Sequence, residues 1–364
     1  MLLVTYGSLY PLRFSHPGDL DAAIRAFVSD QTLWSSPGDV GGNIVLFLPL
    51  GVFAWRLRIA PGRGGWRVGL VCLGCVLFAI ALQAFQMFFP PRVPALGDAA
   101  WNSFGICVGA LARGIAIRSG WTSDGGHPAQ TWPLALVTLW VLTQLAPWIP
   151  ALDWQLVKDG LKPLLLAPEL NVPKLFGSLT KVIAVGLLVA AIKPASPASI
   201  RSFGMLLVAV LVGKLLIADQ GWTPANVGGF CGGFVAWLML IKREKASSYT
   251  FALFALVTSY TIAALTPFEL RSAPSVFDWI PLGSMLDGAM DTNAWALLDM
   301  LFVFGAVLWF AKAAGASVGG LAMALCIWVT CVEIAQGWVV GRTSEITPPL
   351  LVLVLGYAVR NSSR

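Results

Sequence analysis

The sequence predicts an all-α fold: a polytopic transmembrane helical bundle of about 12 spans, built from three parallel four-helix repeats. Composition is the first reason, because 57% of the 364 residues are hydrophobic and only 12% are charged, whereas soluble domains carry about 25% charged residues. Apolar runs of roughly 17 residues or more recur along the chain, and a bilayer core requires this length. Proline and glutamine landmarks also return at near-equal intervals, which predicts internal repeats.

Twelve apolar segments, separated by Gly, Pro or charged residues, define the predicted spans. They are residues 1–10, 40–57, 66–88, 97–117, 131–149, 176–193, 202–219, 223–241, 249–266, 293–311, 316–336 and 346–360. The first is short, since ten helical residues reach only about 15 Å, half of the hydrocarbon thickness. We expect either a half-helix inside the bundle or a chain that begins upstream of Met1.

Loop charges orient the predicted bundle. The loops on one side, together with the C-terminus, hold 14 of the 24 basic residues and only two acidic ones, Asp124 and Glu244. Cytoplasmic loops carry an excess of Lys and Arg, so both termini are predicted to be cytoplasmic. The net charge of +6 is explained by this topology, and no nucleic-acid partner is predicted.

Three spans end in a proline, and three later spans end near a glutamine. The prolines are Pro11, Pro147 and Pro267, and the glutamines are Gln86, Gln220 and Gln336. Successive prolines are 136 and 120 residues apart, and successive glutamines are 134 and 116 apart. These offsets predict three units, 1–120, 121–248 and 249–364. Because each unit has four spans, successive copies share one orientation and are parallel repeats, unlike the six-span halves of a major-facilitator transporter.

Seven polar residues of the first unit fall at helix ends that meet at the predicted outer membrane surface. They are Asp39, Asn43, Gln83, Gln86, Arg92, Asp98 and Asn102. Asp39 with Asn43, and Asp98 with Asn102, are four residues apart and therefore share a helix face. Polar side chains within a membrane are costly and usually have partners or functions, so the sequence predicts a shared outer cleft.

Each of these residues also has a structural interpretation. The two aspartates occupy positions where N-caps are favoured, and the two glutamines could hydrogen-bond neighbouring helices. Capping does not explain why the six-residue spacing from Gln86 to Arg92 recurs from Gln336 to Arg342. The set as a whole therefore favours a functional pocket.

The polar residues of this cleft predict a binding site for an amphiphile of the outer leaflet. Arg92 would clamp a phosphate or carboxylate, and the amides at positions 43, 83, 86 and 102 would bind polar groups. If the protein is an enzyme, Asp98 or Asp39 is the predicted general base, because His16 and His127 lie in loops far apart. No metal site and no cofactor are predicted, since the six cysteines lie in apolar runs as packing residues.

Two other classes of function stay open at this point. Twelve spans with internal charges could enclose a pathway for transport or lipid flipping, although the polar groups are concentrated in the outer half. The protein could also be a structural partner in an envelope-polysaccharide or protein-sorting assembly, with the polar set only joining helices.

The motifs of the first unit resemble the VanZ-like family over residues 1–118. They read D-x-x-x-N-x-x-x-F-x-P-L-G, then Q-x-x-Q with an arginine six residues on, then D-x-x-x-N-x-x-G-x-x-x-G. Gln83 departs from the pattern, because the family more often has glutamate there. The resemblance implies the bacterial cytoplasmic (inner) membrane, a lipid-linked cell-envelope glycan or a lipoglycopeptide antibiotic as ligand, and a contribution to teicoplanin-type tolerance.

The third unit resembles a second VanZ-like domain. The resemblance implies three counterpart residues in substrate binding: Glu333, Gln336 and Arg342. Pro348 and Val352 replace the aspartate and asparagine of the last helix. The middle unit keeps the spacing of that helix in Asn226, Gly229 and Gly233, but its preceding loop has no arginine.

Two further predictions concern charges and loops. Four charged residues lie inside spans: Lys181, Lys214, Asp299 and Glu333. Because the two lysines belong to the middle unit and the two acids to the third, we predict ion pairs between these units. Lys214–Glu333 is one pair that can be tested. The alternative is that the lysines extend outward to the membrane surface without a partner. In the first outer loop, residues 19–34 place Leu20, Ile24, Phe27 and Val28 on one helical stripe. This stripe predicts a short interfacial helix over the outer cleft, or a structured cap without a ligand role.

Overall fold

The structure of the protein is a computed structural model. It describes residues 2–9, 14–29, 37–54, 64–89, 94–118, 128–146, 154–166, 168–193, 196–217, 220–283 and 290–362. These residues are helical apart from connecting segments and two strands of two residues each, so the predicted all-α class is confirmed. The chain divides into two compact units, Met1–Gly125 with Met285–Ala294, and Gly126–Ser284 with Trp295–Arg364. The finer division into 1–120, 121–248 and 249–364 stays a prediction.

Within the described residues, the first unit contains five α-helices and one 3-10 helix. They are α1 (Leu2–Leu9), α2 (Leu20–Ser29), α3 (Pro37–Ala54), α4 (Gly64–Phe85), the 3-10 helix Gln86–Phe88, and α5 (Leu96–Arg118). Phe47, Ala79 and Ile106 are fully buried in a small apolar core between α3, α4 and α5.

Glycines bring α3 and α5 into backbone contact. A β-carbon added at Gly105 would overlap the carbonyl oxygen of Ile44. A β-carbon added at Gly109 would overlap the carbonyl oxygen of Leu48, and one added at Gly51 would overlap the carbonyl oxygen of Ile106 on α5. A backbone carbonyl cannot move aside as a flexible side chain can, so these positions require glycine. Small residues at this spacing allow the close approach of the two helices.

The predicted short helix in the first loop is present as α2. Asp19 caps its start, because Asp19 Oδ1 accepts a hydrogen bond from Ala22 N over 2.9 Å, as favoured N-cap residues do. Phe27 is buried, whereas Ile24 and Val28 on the same stripe are exposed. A location of α2 in the membrane interface stays a prediction.

From residue 126 onwards the described chain forms nine α-helices. They are α6 (Pro128–Gln144), α7 (Trp154–Leu165), α8 (Val172–Ile192), α9 (Pro197–Leu215), α10 (Pro224–Leu240), α11 (Lys245–Leu265), α12 (Met290–Ala313), α13 (Val318–Gln336) and α14 (Thr347–Asn361). Each of the twelve predicted spans overlaps one of the helices that the structure describes.

Six segments in the described part of the chain are long and apolar enough to cross a membrane. They are Gly69–Phe88, Val172–Ile192, Pro197–Leu215, Lys245–Leu265, Trp295–Ala313 and Val318–Gln336. These segments support a multi-pass membrane protein. The count of twelve spans is not confirmed, because α10 is shorter and the eight residues of α1 reach only about 12 Å.

Helix α7 is an addition that hydropathy did not predict. Its twelve residues include Lys158, Asp159 and Lys162, which lower the mean hydropathy below that of a span. The hydrogen bond from Lys162, together with one from Gln155, holds the pKa of the Asp159 carboxyl below its usual range. The charged residues of α7 lie on one side and its apolar residues on the other, so α7 is an amphipathic helix, and Trp154 at its start is 68% exposed.

Helix α8 is central to the second unit. Its residues from Val182 to Leu188 are all buried, as expected for a helix that is apolar around its circumference. Helices α6, α10 and α11 pack against it. This burial places the charged side chain of Lys181, next to Val182, beside the interior of the unit.

The α8–α10 contact has the same glycine spacing as the α3–α5 contact. A β-carbon added at Gly229 would lie 3.1 Å from Leu175 O, and one added at Gly233 would lie 2.8 Å from Leu179 O. In both helix pairs, glycines four residues apart face carbonyls four residues apart. The first and middle predicted units therefore share a packing feature, while the arrangement of three repeats stays a prediction.

Two segments of the second unit are joined by main-chain hydrogen bonds. Strand β1 (Phe277–Asp278) pairs in parallel with β2 (Ser344–Glu345). Besides this strand pairing, four main-chain hydrogen bonds join the chain around β1 to the chain around β2. They are Arg271 N to Trp338 O, Ser275 N to Gly337 O, Val340 N to Glu269 O, and Ile346 N to Asp278 O. The connection after α11 is thereby fixed to the connection after α13.

Candidate functional site

The α3–α5 contact brings together the two D-x-x-x-N motifs of the first unit. Asn43 on α3 donates a hydrogen bond from Nδ2 to Oδ1 of Asp98 at the start of α5, over 2.9 Å. Asp98 and Asn102 lie one turn apart on the same face of α5. Three of the predicted site residues are therefore neighbours in space.

Two other predicted residues, Gln83 on α4 and Asn102 on α5, are buried amides with a free acceptor. Only 3% of Gln83 and 1% of Asn102 is exposed. Among the described residues, Gln83 Oε1 and Asn102 Oδ1 have no hydrogen-bond partner. An unsatisfied buried acceptor costs about 1–3 kcal/mol, and such groups usually have a partner. These two oxygens therefore keep an acceptor capacity that no described residue uses.

Gln86 has a structural contact that its predicted role did not include. Its Nε2 donates a hydrogen bond to Ser8 O over 2.9 Å, near the end of α1. The counterpart Gln220 donates from Nε2 to Ala146 O, after α6, over 2.7 Å. The last carbonyls of a helix lack partners within the helix, so both glutamines satisfy the end of the first helix of their predicted unit.

In the third predicted unit Arg342 makes the corresponding contact. Its Nε donates to Thr266 O over 2.8 Å and its Nη2 to Ala263 O over 2.7 Å, both at the end of α11. Arg342 therefore holds a helix end through two of its five N–H groups. Its role in substrate binding stays a prediction, and it would use the N–H groups that do not bond the helix end.

Glu333 and Gln336 are brought together, but as an internally bonded group. Glu333 is 2% exposed. Its Oε1 accepts hydrogen bonds from Tyr260 OH over 3.2 Å and from Gln336 Nε2 over 3.1 Å. Its Oε2 accepts from Glu345 N over 3.0 Å. Both carboxylate oxygens thus have protein partners, which indicates that Glu333 stabilises the region where α11, α13 and β2 meet.

The predicted Lys214–Glu333 ion pair is wrong. Lys214 Nζ instead donates to Gln220 Oε1 over 3.2 Å, and Glu333 has the partners given above. Charge signs alone indicated that the two lysines and two acids should pair, but they did not determine which residues face each other.

The predicted pairing is confirmed for Lys181 on α8 and Asp299 on α12. Lys181 Nζ lies 2.7 Å from both Oδ1 and Oδ2 of Asp299. The two side chains are 22% and 37% exposed, so the pair is partly shielded from solvent. It joins a helix of the middle predicted unit to a helix of the third.

A double-mutant cycle on Lys181→Met and Asp299→Leu is expected to give a coupling energy of about 1–2 kcal/mol, because each single variant leaves one charge without its partner. Urea unfolding of the detergent-solubilised protein measures it. Additive effects of the two substitutions would show that the pair does not form.

A cavity of about 380 Å³ lies beside this ion pair within the second unit. Its polar lining comes from five helices and from residues of the connecting segments: Gln144, Asn171, Lys174, Ser178, Lys181, Asn226, Ser259, Tyr260, Thr266, Asp299 and Arg342. Sequence reasoning missed it, because its residues are scattered along the chain and each helix contributes only a few. Lys181 and Asp299 mark it in the sequence as charges within apolar spans, but this pattern does not show that their helices meet around a cavity.

Asp39 and Arg92 complete the list of predicted site residues. Asp39 lies on α3 one turn before Asn43, but its side chain is outside the described residues, as is the whole of Arg92. The predicted phosphate clamp and second carboxylate therefore stay predictions. In the part of the chain that the structure describes, no three His, Cys, Asp or Glu residues form a group that could hold a metal ion.

Comparison with known proteins gives one finding for the first unit. Residues 5–116 match the VanZ/LLP1 family model. The matched VanZ-like segment contains all seven polar residues of the predicted cleft and lies within the first compact unit. No curated protein and no solved structure matches the chain. The duplication of the VanZ-like segment at 249–364 is a prediction that this match does not cover.

Proposed function

We propose that this membrane protein binds the polar part of a lipid-linked cell-envelope glycan, or of a similar amphiphile, in its VanZ-like segment. The observation that carries the proposal is the pair of buried acceptors, Gln83 Oε1 and Asn102 Oδ1, which have no partner among the described residues. They lie on α4 and α5, and Asn102 is one turn from the Asn43–Asp98 hydrogen bond.

Sugar hydroxyl groups supply the kind of donor that this acceptor set can use. Amide and carboxylate oxygens each accept hydrogen bonds, so Gln83, Asn102 and Asp98 together favour a ligand rich in O–H groups. Arg92 would hold the phosphate that links such a glycan to its lipid. The proposal concerns binding rather than turnover, and Asp98 takes part in it as an acceptor that Asn43 holds in place through Oδ1.

The proposal includes the location that loop charges predict. The site would lie in the outer half of the bacterial cytoplasmic membrane, with both termini in the cytoplasm. Retention of a lipid-linked envelope precursor there would give the protein a part in teicoplanin-type glycopeptide tolerance. Envelope-assembly proteins would be its partners.

Isosteric apolar replacements test the proposal. In Gln83→Met with Asn102→Leu, the unpartnered acceptors are removed while side-chain volume is kept, so we expect the protein to fold with unchanged or higher stability and to lose the bound amphiphile. Mass spectrometry of the lipids that co-purify with the protein measures the loss. Ser103→Ala is the matched control, because among the described residues Ser103 Oγ bonds only Ala99 O of its own helix, over 2.7 Å.

A scaffold function is the second candidate, and the helix-end contacts of Gln86 and Gln220 favour it. If the double variant and the Ser103→Ala control retain the same lipids as the natural protein, the acceptors do not bind a ligand. The polar set would then serve only to join helices, and the binding proposal would fail.

A further inference from the structure

We infer that the cavity of the second unit is a binding site for a phosphate group. It is built from residues of a different compact unit from the VanZ-like segment, so the inference does not rest on the proposed function. With a volume of about 380 Å³, the cavity falls within the range of small-molecule sites.

The charged residues of the cavity favour an anion. Three cationic side chains and one carboxylate line it: Lys174, Lys181, Arg342 and Asp299. Asp299 balances Lys181 at 2.7 Å, which leaves the positive charges of Lys174 and Arg342 in excess among the described lining. Residues at the start of α8 also line the cavity, and the amino-terminal end of a helix favours negative charge.

Donors are held in place around the cavity. Arg342 is fixed by its bonds from Nε and Nη2 to the end of α11, and a guanidinium carries five N–H groups. Lys181 is fixed by Asp299, and an ammonium carries three N–H groups, of which the two carboxylate oxygens accept two. Because these side chains are already held in one conformation, they lose less conformational entropy when a ligand binds.

Neutral groups complete the polar side of the cavity. Ser178 Oγ donates to Asn226 Oδ1 over 3.4 Å, and this leaves the amide nitrogen of Asn226 as a donor. Trp140 and Phe230, whose ring centroids are 5.7 Å apart, line the cavity as well. The ligand that fits has a phosphate on one side and an apolar or ring-shaped body on the other.

The α8–α10 pair shows how this site differs from the VanZ-like segment. Asn226 lies three residues before Gly229, as Asn102 lies three residues before Gly105, and each glycine contacts the helix two before its own, α8 and α3 respectively. By the same glycine contacts, Lys174 takes the position of Asn43. An ammonium thus replaces an amide, which changes an acceptor-rich site into one that favours anions.

Calorimetric titration of the purified, detergent-solubilised protein tests the inference. The probes are inorganic phosphate, dioctanoyl phosphatidic acid, and dioctanoylglycerol, which has the same chains and no phosphate. We expect phosphatidic acid to bind and dioctanoylglycerol not to bind. Binding of inorganic phosphate as well would identify a site for free phosphate compounds, and its failure to bind would identify a lipid head-group site; both results support the inference.

Three variants link binding to this cavity. Lys174→Gln, at an exposed position that should not affect folding, is expected to weaken binding about tenfold or more, because it removes a charge-assisted hydrogen bond. Asp299→Asn is expected to strengthen binding about tenfold, since it removes the negative charge of the cavity while the amide oxygen can still accept a hydrogen bond from Lys181. Lys162→Gln, an exposed lysine on α7 with 54% side-chain exposure, should leave the affinity unchanged.

Three results would overturn the inference. In the first, neither inorganic phosphate nor phosphatidic acid binds. In the second, dioctanoylglycerol binds as tightly as phosphatidic acid, so that the phosphate adds nothing. In the third, Lys174→Gln and Lys162→Gln have equal effects on the affinity, which would place the binding elsewhere on the protein.

Discussion

Gly109→Ala is expected to lower the free energy of unfolding of the first unit by about 3 kcal/mol. The added β-carbon would overlap the carbonyl oxygen of Leu48 on α3, and no side-chain rotation relieves an overlap between two backbones. Helices α3 and α5 would have to separate, which would also lengthen the Asn43–Asp98 hydrogen bond. Unfolding of the solubilised protein in sodium dodecyl sulfate, followed by helical circular dichroism, measures the effect.

Gly74→Ala is the matched control for this prediction. Gly74 lies on α4, and a β-carbon there meets nothing within 4 Å. Replacing a helical glycine in open space stabilises a helix by up to about 1 kcal/mol, so the control should be neutral or slightly stabilising. Equal losses for the two variants would contradict the backbone contact between α3 and α5.

Glu333→Ala is expected to destabilise the second unit by about 3 kcal/mol or more. The buried carboxylate of Glu333 accepts hydrogen bonds from three donors, Tyr260 OH, Gln336 Nε2 and Glu345 N. All three would lose this acceptor. Each unsatisfied buried donor costs about 1–3 kcal/mol. Glu333→Gln keeps one acceptor oxygen and nearly the same volume, so it should cost less. Urea unfolding of the two variants measures both effects.

Glu269→Ala serves as the comparison for Glu333→Ala. Glu269 lies in the connection after α11 and is exposed, so its loss should change the free energy of unfolding by less than about 0.5 kcal/mol. If Glu333→Ala were as mild as Glu269→Ala, the hydrogen-bonded group around Glu333 would not contribute to stability as described.

Helix positions could be predicted from the sequence because span length and apolar composition are local properties. The missed helix, α7, shows the limit of that reasoning. Its charged residues are compatible with an amphipathic helix, but twelve residues with a low mean hydropathy do not stand out from a loop. A period of 3.6 residues was the available signal, and hydropathy averaged over a window does not detect it.

The site was harder to predict, because one pattern in the sequence can have two physical causes. The sequence shows the recurrence of Gln86 and Gln220 and, for Gln86, favours a role in ligand binding. A contact repeated within each unit produces the same recurrence as a repeated binding site, and both glutamines in fact bond the end of a helix. The cavity of the second unit was out of reach, because spacing along the chain does not show which faces of separate helices meet.

The main-chain bonds between the segments after α11 and α13 have a consequence for how this part of the protein can evolve. These bonds join backbone amides and carbonyls, so they do not depend on which side chains the two segments carry. Val276 and Trp279, which are 92% and 73% exposed, can therefore be exchanged by neutral drift without loss of the connection. Related chains can keep this architecture while they change the chemistry that it presents to its surroundings.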